Sequence, residues 1–117
     1  MHVSEIMSSP VVVTRKGTKI KHTKSLLVRK GIHAIPVLEE DGVIVGIVSA
    51  TDLAKAADEE VMVEELMSNR IHVVQLNNRI KDAAAIMVKH KVHHLPVMDE
   101  GKIAGIISSM DILKTID

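Results

Sequence analysis

The chain states one pattern twice, and this duplication limits its fold more than any composition value. At an offset of 60, Val3, Glu5, Met7, Ser8, Val13, Ile20, Lys21, Val28, His33, Pro36, Val37 and Glu40 recur as Val63, Glu65, Met67, Ser68, Val73, Ile80, Lys81, Val88, His93, Pro96, Val97 and Glu100. The offset then drops to 59: Gly42, Ile44, Gly46, Ile47, Ser49, Asp52 and Lys55 recur as Gly101, Ile103, Gly105, Ile106, Ser108, Asp111 and Lys114. One residue is therefore lost near Asp41, in a loop, where no strand register suffers. The period divides the chain into a first repeat over 1–57, a linker over 58–62 and a second repeat over 63–117. A repeat of this size buries too little surface to stand alone, so one compact module with the two copies packed about a pseudo-twofold axis is expected.

Each copy reads as strand, helix, hairpin, helix, which makes the chain an α/β (α+β) protein of two β-α-β-β-α repeats. Val11-Val12-Val13 and Ile71-His72-Val73-Val74 are β-branched runs that predict the first strands. Ile80, Ala83, Ala84, Met87 and Val88 form one apolar helical face. In the first copy Thr23, Lys24 and Ser25 replace three alanines, which predicts a more polar, more exposed flank on helix 18–30. Two hairpins follow, turning at Gly42 and Gly101, where glycine supplies a positive φ. Pro36 and Pro96 lack an N–H and predict an edge strand or a strand start. The closing helices begin at Ser49 and Ser108. Seven methionines could form an adaptable binding surface, but Met7, Met67, Met87 and Met98 sit in apolar contexts that suit core packing, and the 58–62 linker with Asp58-Glu59-Glu60 reads as solvated.

Composition removes several functions. Lys plus Arg and Asp plus Glu number 15 each, so no bulk positive field draws the chain to nucleic acid or an acidic membrane. The Lys19, Lys21, Lys24, Arg29, Lys30 cluster reads as a solvated helix face. Phe, Tyr and Trp are absent, which removes base-stacking platforms. With no cysteine there is no thiol nucleophile, disulfide or thiolate metal site. The amino terminus shows no basic stretch followed by an apolar run, and no segment reaches the ~18 apolar residues of a membrane span, so the reading is a soluble cytoplasmic protein. No nucleophile elbow, P-loop or G-x-G-x-x-G is present, and no catalysis is expected.

The pattern with most chemistry is Gly46-Ile47-Val48-Ser49-Ala50-Thr51-Asp52, repeated as Gly105-Ile106-Ile107-Ser108-Ser109-Met110-Asp111 at a strand-to-helix junction. Two readings stand. Ser and Asp can cap the helix start. Alternatively, the glycine lets a ligand approach the backbone, and an ionised Asp accepts hydrogen bonds from two vicinal ribose hydroxyls. A metal reading of His90-x-x-His93-His94 with Asp99 is weaker, because a helix end and alternate strand faces do not converge. His2 and His22 read as solvated.

Three motifs in each copy resemble those of tandem CBS domains, the Bateman module named after cystathionine β-synthase. They are Met7-Ser8-Ser9-Pro10-Val11-Val12-Val13 or Met67 to Val73, His33-Ala34-Ile35-Pro36-Val37 or His93-His94-Leu95-Pro96-Val97, and Gly-h-h-Ser-x-x-Asp. The resemblance covers essentially the whole chain. It implies a regulatory sensor that binds adenosine-containing ligands, such as AMP, ADP, ATP or S-adenosylmethionine, in two clefts between the copies, with no cofactor besides that ligand. One cleft would use Asp52 for ribose, Ser49 and Thr51 near ribose or phosphate, His93 and His94 as positive edges, and the His72 backbone with Ile47 around adenine. The other would use Asp111 and Ser108, Val12 and Ile106 around the base, and His33 towards phosphate. Ala34 and His94 stand where an Arg is common in phosphate binders, and Met110 replaces the Thr51 hydroxyl, which points to Asp52 as the tighter cleft. The resemblance also implies a homodimer of four repeats, with an unidentified regulated protein as a further partner. Its alternatives are a nucleotide-free oligomerisation module and a metal-responsive module that uses the histidines.

Overall fold

The computed structural model describes Met1 to Ile116, and these residues form two compact units. One holds Val12–Ile71; the other holds Met1–Val11 together with the chain from His72 onward. A compact unit is therefore not a sequence repeat. Each takes its opening turn from the other repeat.

In the unit Val12–Ile71 the order is β1 (Thr14–Arg15), α1 (Ile20–Lys30), β2 (Ala34–Leu38), β3 (Ile44–Ser49), α2 (Ala50–Ala54) and a 3-10 turn at Val63–Glu65. The sheet runs β1-β2-β3, with β1 parallel and β3 antiparallel to β2. Ile20, Leu27, Ile35, Val37, Val48, Leu53 and Val63 make its core. The helix α1 has no side-chain N-cap; its first N–H groups, from Ile20 and Lys21, donate instead to the carbonyls of Val61 (2.9 Å) and Glu59 (3.0 Å). The linker thus does what a capping side chain does elsewhere. Its acids are not idle in solvent, as the sequence suggested. Glu60 meets Lys19 at 2.9 Å and Lys21 at 2.6 Å, and Glu59 meets Lys24 at 2.6 Å. Hydrogen bonds from Lys21 and then Lys19 hold the Glu60 carboxyl down at about 2, from an ordinary 4.5.

The second unit repeats this plan with β4 (Val74–Gln75), α3 (Ile80–His90), β5 (His94–Asp99), β6 (Lys102–Ser108) and α4 (Ser109–Leu113), in sheet order β4-β5-β6. Its 3-10 turn is Val3–Glu5. Val3 is fully buried with Val74, Ala83, Met87, Leu95, Val97 and Ile107, and its N–H donates to the Asn78 carbonyl at 2.8 Å.

Three local expectations are corrected. The first strands lie at Thr14–Arg15, past the run Val11 to Val13, and at Val74–Gln75, which keeps only the last residue of the run Ile71 to Val74. Pro36 and Pro96 sit inside central strands, opposite Ile47 and Ile106. Both departures have one cause. Ile47 turns its N–H and C=O to Ser68, so Pro36 opposite it faces the β1 side, where it has no N–H to give. The parallel ladder begins only past it, at Thr14 opposite Val37. Thirdly, Thr23 is fully buried and bonded to Thr14, whereas Val28 and Val88, at equivalent positions, are 82% and 79% exposed. Among the described residues no helix is long and apolar enough to cross a membrane.

Candidate functional site

Each Gly-h-h-Ser-x-x-Asp motif runs from the last strand of its sheet into a five-residue helix. Ser49 is extended (φ −104°, ψ 161°), which ends β3 and lets its Oγ accept the Asp52 N–H at 3.1 Å. In return Asp52 Oδ2 accepts the Ser49 N–H at 3.1 Å. Ser108 and Asp111 do the same, with distances of 3.1 and 2.8 Å. This is a reciprocal capping box, and it satisfies two orphan donors per helix. It does not exhaust the carboxylate, which has two oxygens and about four acceptor positions. Asp52 and Asp111 are both half-buried, and no protein donor among the described residues reaches Oδ1 of either. The cap fixes the rotamer and uses only one of the two oxygens.

The glycines have a different role from the one read in the sequence. A Cβ at Gly46 would fall 2.6 Å from Met67 Sδ and 2.9 Å from the Ser68 carbonyl oxygen; one at Gly105 would fall 2.7 Å from Met7 Sδ and 2.8 Å from the Ser8 oxygen. The chain itself, and not a ligand, approaches the backbone there. Ile47 exchanges both hydrogen bonds with Ser68 (3.0 and 2.9 Å), and Ile106 exchanges both with Ser8 (3.2 and 2.8 Å). The main-chain groups of Ile47 and Ile106 are therefore committed. The repeated Met-Ser pair was the available sequence signal for this added edge.

The unit Val12–Ile71 gathers Val12, His33, Ile47, Ser49, Thr51 and Asp52 of the predicted residues. His33 is exposed, and its carbonyl accepts the Ala50 N–H at 2.8 Å, which places it at the start of α2. A groove of about 280 Å³ lies there, with His33, Ala50, Leu53 and Val28 in its walls. Thr51 is exposed, Ile47 half-buried, and Val12 is half-buried against the core. The other unit gathers His72, His93, His94, Ile106, Ser108 and Asp111. His93 is exposed and its carbonyl accepts the Ser109 N–H at 2.8 Å. His94 is paired in register with Ser108, where the first repeat has Ala34 opposite Ser49.

His72 has a neighbour the sequence did not suggest. Its ring stacks on His90 with centroids 3.6 Å apart and planes at 13°. His90, the last residue of α3, thereby faces His72. Among the described residues no three His, Cys, Asp or Glu side chains are grouped to hold a metal ion.

Comparison with known proteins agrees with this architecture. The CBS domain matches residues 3–59 and again 63–117. A homoserine O-acetyltransferase of Methanosarcina acetivorans is 32% identical over 94% of this chain, which covers 21% of that protein. The chain thus spans about a fifth of the length of such enzymes. Among solved structures, the CBS domain pair of protein MJ0100, in complex with 5′-methylthioadenosine and S-adenosyl-L-methionine, is 27% identical, with a TM-score of 0.92 and complete coverage of both chains. CBSX2 in complex with AMP is 26% identical, with a TM-score of 0.83 over 97% of this chain and 94% of that one. With both halves of the sequence matched and the fold shared, this chain belongs to the CBS domain family, as a tandem pair.

Proposed function

We propose that the chain is a regulatory, non-catalytic module that binds an adenosine-containing ligand, AMP, ADP, ATP or S-adenosylmethionine, with Asp52 and Asp111 as the groups that grip ribose. One observation carries the reading. In both repeats the Asp carboxylate is locked by a cap through one oxygen, while no donor among the described residues reaches the other. Vicinal hydroxyls suit such an acceptor, and charge-assisted bonds of this type are the strong ones. Support comes from the ligands of MJ0100, 5′-methylthioadenosine and S-adenosyl-L-methionine, and of CBSX2, AMP; all three carry an adenosyl group. Ser49 and Thr51 beside Asp52, and Ser108 beside Asp111, are the hydroxyls assigned to ribose or phosphate. His33, His93 and His94 are the groups assigned to phosphate. Ile47, Ile106, Val12 and His72 are assigned to the base, with Ile47 and Ile106 acting through their side chains. The proposal also includes a cytoplasmic location and a homodimer; exposed Val28, Val88 and Leu113 supply apolar surface for a second copy.

The competing reading, a scaffold that binds no nucleotide, is favoured by the commitment of Ser49 Oγ, Asp52 Oδ2 and their counterparts to caps. Purified protein separates the two. Without Trp or Tyr the chain scarcely absorbs at 280 nm, so carried-over nucleotide shows as a band near 260 nm. That band, or heat on titration with AMP, ADP, ATP or S-adenosylmethionine, supports the sensor. A featureless spectrum and no heat with any of the four supports the scaffold.

A further inference from the structure

The chain has no Cys, Trp or Tyr, so its seven methionines are its most readily oxidised side chains. They are not equivalent. Met1, Met62 and Met110 are exposed, Met87 is 6% exposed within the core, and Met98 is half-buried within β5, away from both strand glycines. Met7 and Met67 stand apart from these. Each is partly buried, so peroxide can reach it, and each lays its sulfur on the bare face of a strand glycine, Gly105 or Gly46. The glycine face has no spare room, since a single added carbon there would already fall 2.6 or 2.7 Å from the sulfur. The N–H groups beside Met67, those of Ile47 and Ser68, already donate to each other's carbonyls, and Ile106 and Ser8 do the same beside Met7.

We propose that Met7 and Met67 are a matched pair of oxidation sites at which sulfoxide formation unclasps the Met-Ser segment from β6 and β3. A sulfur lone pair attacks one oxygen of hydrogen peroxide. The O–O bond breaks, an S–O bond forms, and the departing hydroxide leaves as water with the remaining proton. The thioether is oxidised by two electrons and the peroxide is reduced by two. The new oxygen is polar, enlarges the group that touches the glycine and finds no uncommitted main-chain donor in the clasp, so the contact that holds Ser68 to Ile47, or Ser8 to Ile106, is lost. Oxidation of Met1, Met62 or Met110 adds oxygen where there is solvent and leaves the fold alone.

The test treats the whole chain with graded hydrogen peroxide, maps sulfoxide at each methionine by peptide mass spectrometry, and follows the thermal midpoint. The midpoint is expected to hold while the exposed methionines oxidise, then to fall by roughly 5 °C as Met7 and Met67 convert, and to return with methionine sulfoxide reductase. Met7→Leu/Met67→Leu is expected to lose the drop and Met62→Leu/Met110→Leu to keep it in full. If the Leu pair at 7 and 67 does not fold, the mapping of the parent and the second variant decide. An unchanged midpoint with Met7 and Met67 oxidised, or a drop that vanishes in Met62→Leu/Met110→Leu, overturns the proposal. Because no nucleotide enters the readout, its failure leaves the ligand reading untouched.

Discussion

Thr14 and Thr23 face each other across the core of their unit with hydroxyl oxygens 3.2 Å apart, and Thr23 is fully buried. At the matching positions of the other repeat stand Val74 and Ala83, both buried. One fold therefore accepts either a bonded hydroxyl pair or no hydroxyl at all. Thr14→Val alone leaves the Thr23 hydroxyl without its partner and is expected to cost about 1–3 kcal/mol. Thr14→Val/Thr23→Ala restores the all-apolar solution and is expected to be more stable than the single variant. Urea unfolding of both checks the order.

At Gly46 and Gly105 the obstacle to a side chain is partly backbone, the carbonyls of Ser68 and Ser8, which cannot swing aside as a methionine can. Gly46→Ala and Gly105→Ala are each expected to destabilise by about 1–3 kcal/mol. Gly17→Ala, where nothing lies within 4 Å and φ is ordinary, is the control. It is expected to be neutral or slightly stabilising in the same unfolding experiment.

The two long helices end alike but with different residues. Gly31 closes α1 in the left-handed region at φ 63°, and Lys91 closes α3 there at φ 55°. A side chain in that region costs roughly 1 kcal/mol that glycine does not. Lys91→Gly is expected to raise stability by about that amount, seen as a higher denaturant midpoint.

Acid should loosen the linker. Glu60 is held at about 2 against an ordinary 4.5, so its folded state binds the proton less readily than the unfolded chain. Its contribution is present above pH 4.5 and is lost as pH falls from there towards 2. Being exposed, it is also weakened by salt. Hydrogen exchange at Ile20 and Lys21, whose N–H groups bond to the linker, is expected to quicken over that pH range, beyond the intrinsic change, and Glu60→Gln is expected to remove the transition.

Much of this was legible in the sequence, because duplication gave the element order twice and the Ser-Asp spacing placed both helix starts. What escaped it depends on tertiary approach. The β-branched run Val11 to Val13 has strand propensity, but Pro36 decides where a ladder can begin. Gly46 looked like room for a ligand, and only the return of Met67 and Ser68 shows what fills it. Thr23 looked like an exposed substitution until its partner Thr14 was found nine positions earlier on another element. The His72–His90 stack joins the segment before β4 to the end of α3, a contact no local pattern encodes.

The ribose assignment is tested most directly by Asp52→Asn/Asp111→Asn, since asparagine keeps a carbonyl oxygen for the cap but replaces the outward acceptor with an NH₂. Calorimetric titration of the parent with AMP and S-adenosylmethionine, repeated on the variant, is the measurement. The expected result is binding by the parent, a loss of roughly 10- to 100-fold in affinity in the variant, the equivalent of the ~1.5–3 kcal/mol of a charged hydrogen bond, and a nearly unchanged thermal midpoint. Equal affinity in parent and variant would contradict the assignment, and a parent that binds neither compound would leave the capped carboxylates as structure alone.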